Sequence, residues 1–240
     1  MPELEFFLVA GLTVLAGSVV QSGLGLGLGL VAAPVLVVLE PALMPGALLT
    51  ATVVLPLLTV CAEWRHIDWH GLAWGLPARI PGAALGAWLV GVLEPRVLGA
   101  AVGTTVLLAV GLSLRVRRRF TVTPAALLTA GTAAGVTGTL TSIAGPPLAL
   151  LYQHEPAARV RGTLGGFFFA GTLISLAVLG VAGRLTGVQV QVGLLLVPAV
   201  LAGYLLGRPL RRRFDSRGVR LALLGVIACS GAALLVRSLA

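Results

Sequence analysis

Two apolar runs, each too long for one membrane crossing and too short for two, set the main constraint on this chain. The first covers Leu4 to Leu39 and ends at Glu40-Pro41; the second runs from about Thr121 to Gln153 and ends at Glu155-Pro156. A straight helical crossing of a hydrocarbon core about 30 Å thick takes about 20 residues, and two crossings joined by a turn take more than about 40. Each run must therefore be broken, either as an intramembrane hairpin or as two short tilted helices. Further apolar segments cover about 45–62, 71–93, the stretch ending at Leu114, and about 162–183, 188–207 and 219–235. Lipid offers no hydrogen-bond partners, so segments that face it are helical. The expected fold is an all-α polytopic membrane protein, a single membrane domain over 1–240.

Composition excludes the soluble classes. Hydrophobic residues fill 58% of the 240 positions and charged residues only 10%, against about 25% charged in a soluble domain. The formal charge of +9 comes from 17 basic residues, all of them Arg. They cluster in islands between apolar segments, the pattern of topology signals and not of a nucleic-acid-reading face. Cys61 and Cys229 stand alone in apolar runs and read as small buried hydrophobes. The acidic start Met1-Pro2-Glu3-Leu4-Glu5 lacks the basic region of a cleavable signal peptide. It reads as the start of the first membrane segment, left outside the cytoplasm.

The chain repeats itself. At an offset of 121, Pro77 matches Pro198, Gly82 matches Gly203, Gly86 matches Gly207, Glu94 matches Asp215 and Arg96 matches Arg217. At an offset of 115, Glu40-Pro41-Ala42 matches Glu155-Pro156-Ala157. Small residues four apart let membrane helices approach closely. The expected repeats cover about 1–117 and 121–240, each a broken or hairpin Gly-rich segment followed by three transmembrane helices.

Eight simple transmembrane helices are the alternative, and the Arg distribution separates the two. If the long runs return to the side they enter, one side holds Arg65, Arg115, Arg117, Arg118, Arg119, Arg159, Arg161, Arg208, Arg211, Arg212, Arg213 and Arg217. The other holds Arg96, Arg184 and Arg237, a division of 12 to 3. Eight simple crossings divide the same residues 8 to 7. Positive residues accumulate on the cytoplasmic side, so the returning arrangement is favoured. It makes the two repeats inverted and leaves both termini outside.

The breaks point to a site. The first carries Gln21-Ser22-Gly23-Leu24-Gly25-Leu26-Gly27-Leu28-Gly29 and then Pro34. The second spans Gly135 to Pro147 and includes Thr139, Thr141, Ser142, Gly145, Pro146 and Pro147. Gly and Pro destabilise helix interiors by about 1 and about 3 kcal/mol, so backbone groups are freed there. A ligand or water can satisfy them, and half-helix N-termini favour anions. Inverted-repeat transporters are built this way. Close packing is the competing role for these glycines; a nucleotide loop is not, because GxGxxG is unsatisfied. Arg79, between Pro77 and Pro81, is a candidate anion counter-charge within a helix. Glu63, His66 and His70 have helical spacing for a metal, but Trp64, Trp69 and Trp74 beside them mark a solvated boundary. No metal, cofactor or catalytic residue is expected.

These motifs resemble those of the sulfite exporter TauE/SafE family of membrane transporters. Gly25-Leu26-Gly27-Leu28-Gly29 with Pro34 is similar to its first Gly-rich break, with Leu28 where Gly is usual. Arg65-His66-Ile67-Asp68-Trp69 resembles the polar element before its third helix, and Thr139 to Pro147 its second break. The resemblance implies export of small anions, sulfite or organosulfonates, by ion-coupled secondary transport. The leading expectation is secondary transport of a small anion across the cytoplasmic membrane; a passive channel and an integral membrane enzyme are the alternatives. Expected partners are the anion, the lipid bilayer and a coupling ion, proton or sodium, with Glu40 and Glu155 as the best acidic candidates. A homodimer is compatible with this reading.

Overall fold

The computed structural model describes the backbone of residues 4–115, 121–214 and 217–239, and side chains within these except at 115, 210–214 and 217–223. Arg117, Arg118, Arg119 and Asp215 thus lie outside the described residues. All regular structure among the described residues is helical: α1 (Leu4–Leu24), α2 (Leu28–Leu39), α3 (Gly46–Thr52), α4 (Val54–Glu63), α5 (Trp69–Val92), α6 (Pro95–Arg115), α7 (Pro124–Thr141), α8 (Gly145–Tyr152), α9 (Ala157–Val181), α10 (Gly187–Phe214) and α11 (Arg217–Leu239). Among the described residues, five helical spans are long and apolar enough to cross a membrane. The chain is an all-α, multi-pass membrane protein.

Neither long run is a single helix. The first breaks at Gly25 and Gly27, with φ of 83° and 148°, values that only glycine adopts without strain. The second breaks after Thr141, where Ser142 takes the left-handed conformation at φ 61°. Its hydroxyl donates to the Pro45 carbonyl, 3.3 Å away, which helps hold a backbone conformation unfavourable for most residues.

At each break the chain turns back. Leu28 and Val31 at the start of α2 pack against Gly17 of α1, and α2 buries Leu28, Leu36 and Val37 in one core with Ala10 and Val14. Likewise α8 returns along α7, sharing a core of Leu127, Ala134, Leu148 and Tyr152. The first turn reaches Arg161 at the start of α9, where Gly25 abuts the arginine side chain. Ser142 of the second turn reaches Pro45, before α3.

The glycines paired by the 121-residue offset do equivalent work. Gly82 and Gly86 of α5 lie against α7 at Thr132 and Val136, while Gly203 and Gly207 of α10 lie against α1 at Leu15 and Val19. Each hairpin's first helix thus packs on the long proline-containing helix of the other half, α7 on α5 and α1 on α10.

Two local expectations need correction. Cys61 and Cys229 are exposed on the helix surface, where a small apolar side chain facing lipid loses nothing. Arg159 and Arg161 sit in the opening turns of α9, and Arg208 lies on α10, so the basic islands are partly helical; Ala and Arg after Pro156 are good helix formers. Glu40 is exposed and Glu155 partly exposed, Glu155 pairing with Arg159 at 3.3 Å.

Candidate functional site

The two hairpin tips meet in the interior. Gly29 lies against the Ser142 carbonyl, and Gly145 faces Leu26 and Phe168. Between them is a cavity of about 50 Å³, room for one or two waters or a small anion. The first break lines it with Gln21, Leu26, Gly27, Gly29 and Leu30, and the second with Ser142, Ile143, Ala144, Gly145 and Pro146. Leu49, Thr52 and Pro56 of α3 and α4 face Phe168 and Thr172 of α9 across it.

Arg79 reaches this cavity from α5 and is 1% exposed. A Cβ atom added at Gly138 of α7 or Gly171 of α9 would run into its side chain, so both glycines make room for the guanidinium. The guanidinium carbon lies 5.0 Å from the centre of the Phe167 ring. Nη2 donates to Ser175 Oγ at 3.4 Å; that hydroxyl is 2.8 Å from Thr139 Oγ1 and donates to the Gly171 carbonyl. Nε and Nη1 have no hydrogen-bond partner among the described residues. Leaving a buried charge incompletely paired is costly, and such a group in a native fold calls for a ligand, an ion or water.

The α2 N-terminus adds donors. Its Leu28 N–H is taken by Gln21 Oε1 at 3.0 Å, and Val31 N–H by the Gly27 carbonyl. Gly29 and Leu30, between them, are second and third in the helix, positions whose N–H groups have no partner within it; both residues line the cavity. Since Oε1 of Gln21 is engaged as an acceptor, its Nε2 amide remains as a donor. The α8 N-terminus is poorer, because Pro146 and Pro147 carry no N–H. The largely apolar lining therefore offers a few donors and, among the described residues, one positive charge.

Of the residues singled out in the sequence, Gln21, Gly27, Gly29, Arg79, Ser142, Gly145 and Pro146 line the cavity. Six do not. Ser22 packs against Gly207 and Gly25 against Arg161. Pro34 is buried within α2, Thr141 bonds back to the Thr137 carbonyl, and Pro147 sits in the first turn of α8. Thr139 acts one shell out, through Ser175. Phe168, Thr172 and Ser175 were missed; Thr172 and Ser175 are the only hydroxyls between Gly165 and Val181, and that was the available signal.

No curated protein and no solved structure matches the chain. The family model described as Sulfite exporter TauE/SafE matches residues 9–234, nearly the whole chain, and the protein belongs to this family of transporters.

Proposed function

We propose that the chain is a secondary transporter that exports a small anion, sulfite or an organosulfonate, across the cytoplasmic membrane, coupled to a proton or sodium gradient. The observation that carries this reading is Arg79, buried at the junction of the two breaks with Nε and Nη1 unpaired among the described residues. An anion about 4 Å from the guanidinium gains about 4 kcal/mol at an effective dielectric constant of about 20, equivalent to roughly millimolar affinity. The N–H groups of Gly29 and Leu30 and the Gln21 amide offset the anion's lost hydration. Binding of this order captures the ion and still releases it, as conduction through a membrane requires.

The proposal includes inverted repeats over about 1–117 and 121–240. The interchange of α5–α7 and α1–α10 packing supports it. So does the gathering of arginines at one end, where Arg161 pairs with Glu63 and Arg159 with Asp68 on either side of Arg65, and Arg208 lies over Tyr204, whose hydroxyl donates to the Leu58 carbonyl of α4. That basic end is then cytoplasmic. On this reading the anion is bound and released without being altered, which is transport.

Proteoliposomes with labelled sulfite test the proposal. Gradient-driven accumulation that Arg79→Gln abolishes is the expected result. Equilibration without accumulation would make the protein a channel, and flux indifferent to Arg79 would remove the site.

A further inference from the structure

At the basic end, Arg161 is already engaged by an internal carboxylate. Its Nε and Nη2 both donate to Glu63 Oε1, at 3.3 and 2.9 Å, presenting a planar fork to a single oxygen. The side chains are only 18% and 10% exposed, and His66 Nδ1 lies 3.4 Å from the other Glu63 oxygen. A guanidinium receives a free oxyanion through these same donors.

The position of Arg161 ties it to the cavity. It packs over Gly25 at the first hairpin turn. Residues 161, 164, 168 and 172 recur at helical spacing on one face of α9, and Phe168 and Thr172 line the cavity. Phe168 is about 10 Å along the helix from Arg161, with buried Leu164 between them. One helix face thus carries a partly exposed cation, buried Leu164 and then two residues that line the cavity. Elsewhere around the cavity Gln189 Nε2 donates to the Ala42 carbonyl at 2.9 Å and Ser142 to Pro45, and Arg184 packs beside Gly91.

We propose that Arg161 is an anion-receiving site at the basic mouth and that Glu63 is its built-in placeholder, displaced when a small oxyanion arrives. The inference rests on the transport reading and adds a second binding station ahead of Arg79. A tethered competitor lowers apparent affinity by the fraction of time it leaves the site vacant. Removing its charge and removing the receptor must then have opposite effects, whereas breaking a merely structural ion pair from either side has the same effect.

The test is the KM for labelled sulfite presented on the basic side of proteoliposomes. Glu63→Gln should lower KM about tenfold if the placeholder holds Arg161 about nine-tenths of the time; Arg161→Gln should raise KM, and the double variant should match Arg161→Gln. Glu63→Asp, which keeps the charge on a shorter arm, should shift KM the same way by less and serves if Glu63→Gln does not fold. Asp68→Asn weakens the same end without touching Arg161 and should leave KM unchanged. If Glu63→Gln and Arg161→Gln shift KM in the same direction, or neither shifts it, this inference is overturned while transport stands. If the wild-type protein moves no sulfite, the transport reading fails first and the placeholder falls with it.

Discussion

Replacing Arg79 by Met should make the protein more stable and unable to respond to anions. Arg79 is 1% exposed, with two nitrogens unpaired among the described residues, and each such orphan costs about 1–3 kcal/mol. Water in a cavity of about 50 Å³ relieves one of them, leaving a penalty of about 3 kcal/mol once the charge is counted. Against this stand the long 3.4 Å bond to Ser175 and the 5.0 Å contact with Phe167, together worth about 1–2 kcal/mol. Met fills similar volume and leaves Ser175 bonded to Thr139 and the Gly171 carbonyl. The net gain is about 1–2 kcal/mol, in line with replacing buried charges by apolar residues, and raises Tm by about 2–8 °C for a chain of this size. Thermal unfolding of detergent-purified protein, with and without sodium sulfite, reads both effects. Wild type should be stabilised by sulfite and Arg79→Met should be higher without it and indifferent to it. A variant that melts lower and still gains stability from sulfite would refute the account of Arg79 as an unpaired counter-charge.

Other outcomes follow from single contacts. A Cβ at Gly171 would lie 2.7 Å from Arg79 Cδ, so Gly171→Ala should displace the guanidinium and weaken sulfite-dependent stabilisation at least about tenfold, a loss of about 1.4 kcal/mol. At Gly203 an added Cβ meets the Leu15 carbonyl at 2.5 Å, so Gly203→Ala should cost about 1–3 kcal/mol by forcing α1 and α10 apart, whereas Gly11→Ala, with nothing within 4 Å, should be close to neutral in the same melts. Asp68 caps α5; burial raises its pKa, but the Gly71 N–H, the Tyr152 hydroxyl and Arg159 outweigh it and hold the pKa below the ordinary 3.8. A depressed carboxylate pKa stabilises the fold above the unfolded value and loses that contribution as pH falls through the folded one, so melts taken below pH 3.8 should show a loss of stability that Asp68→Asn lacks. Cysteines at Arg65 and Arg208 should react with an impermeant thiol reagent from one side of the membrane and cysteines at Arg96 and Arg184 from the other; Arg65 and Arg184 reacting from the same side would exclude inverted repeats.

The breaks were legible because Gly and Pro have strong local preferences that apolar surroundings do not mask. Gly25 and Gly27 take positive φ where the sequence concentrates glycine. The second break was legible only as a region. Its turn falls on Ser142 and not on a glycine, and what permits this is the Pro45 carbonyl, 97 positions away. Distance in sequence hid the rest of the site too. Arg79 stood out as a lone charge in an apolar helix, but its partner Ser175 is 96 residues on, and the Glu63–Arg161 pair spans 98. Phe168 and Thr172 carried almost no signal, since a helix surrounded by lipid and protein is apolar on every side and periodicity no longer marks the working face.

At the offset that aligns α5 with α10, Arg79 corresponds to Val200, which is fully buried in the apolar core. The α2 N-terminus keeps its N–H groups, while α8 begins with Gly145-Pro146-Pro147. Arg79 is the one charged residue among the described residues that line the cavity, and a lone guanidinium suits one negative charge better than two. Its holders also belong to different packed groups. Arg79 rides on α5, which packs against α7 and α9, whereas Gly29 and Leu30 ride on α2, which packs against α1. Any movement that separates α5, α7 and α9 from α1, α2 and α10 pulls the guanidinium away from the N–H donors. On the transport reading proposed above, an anion held by both then loses one of them, so opening and release become the same event.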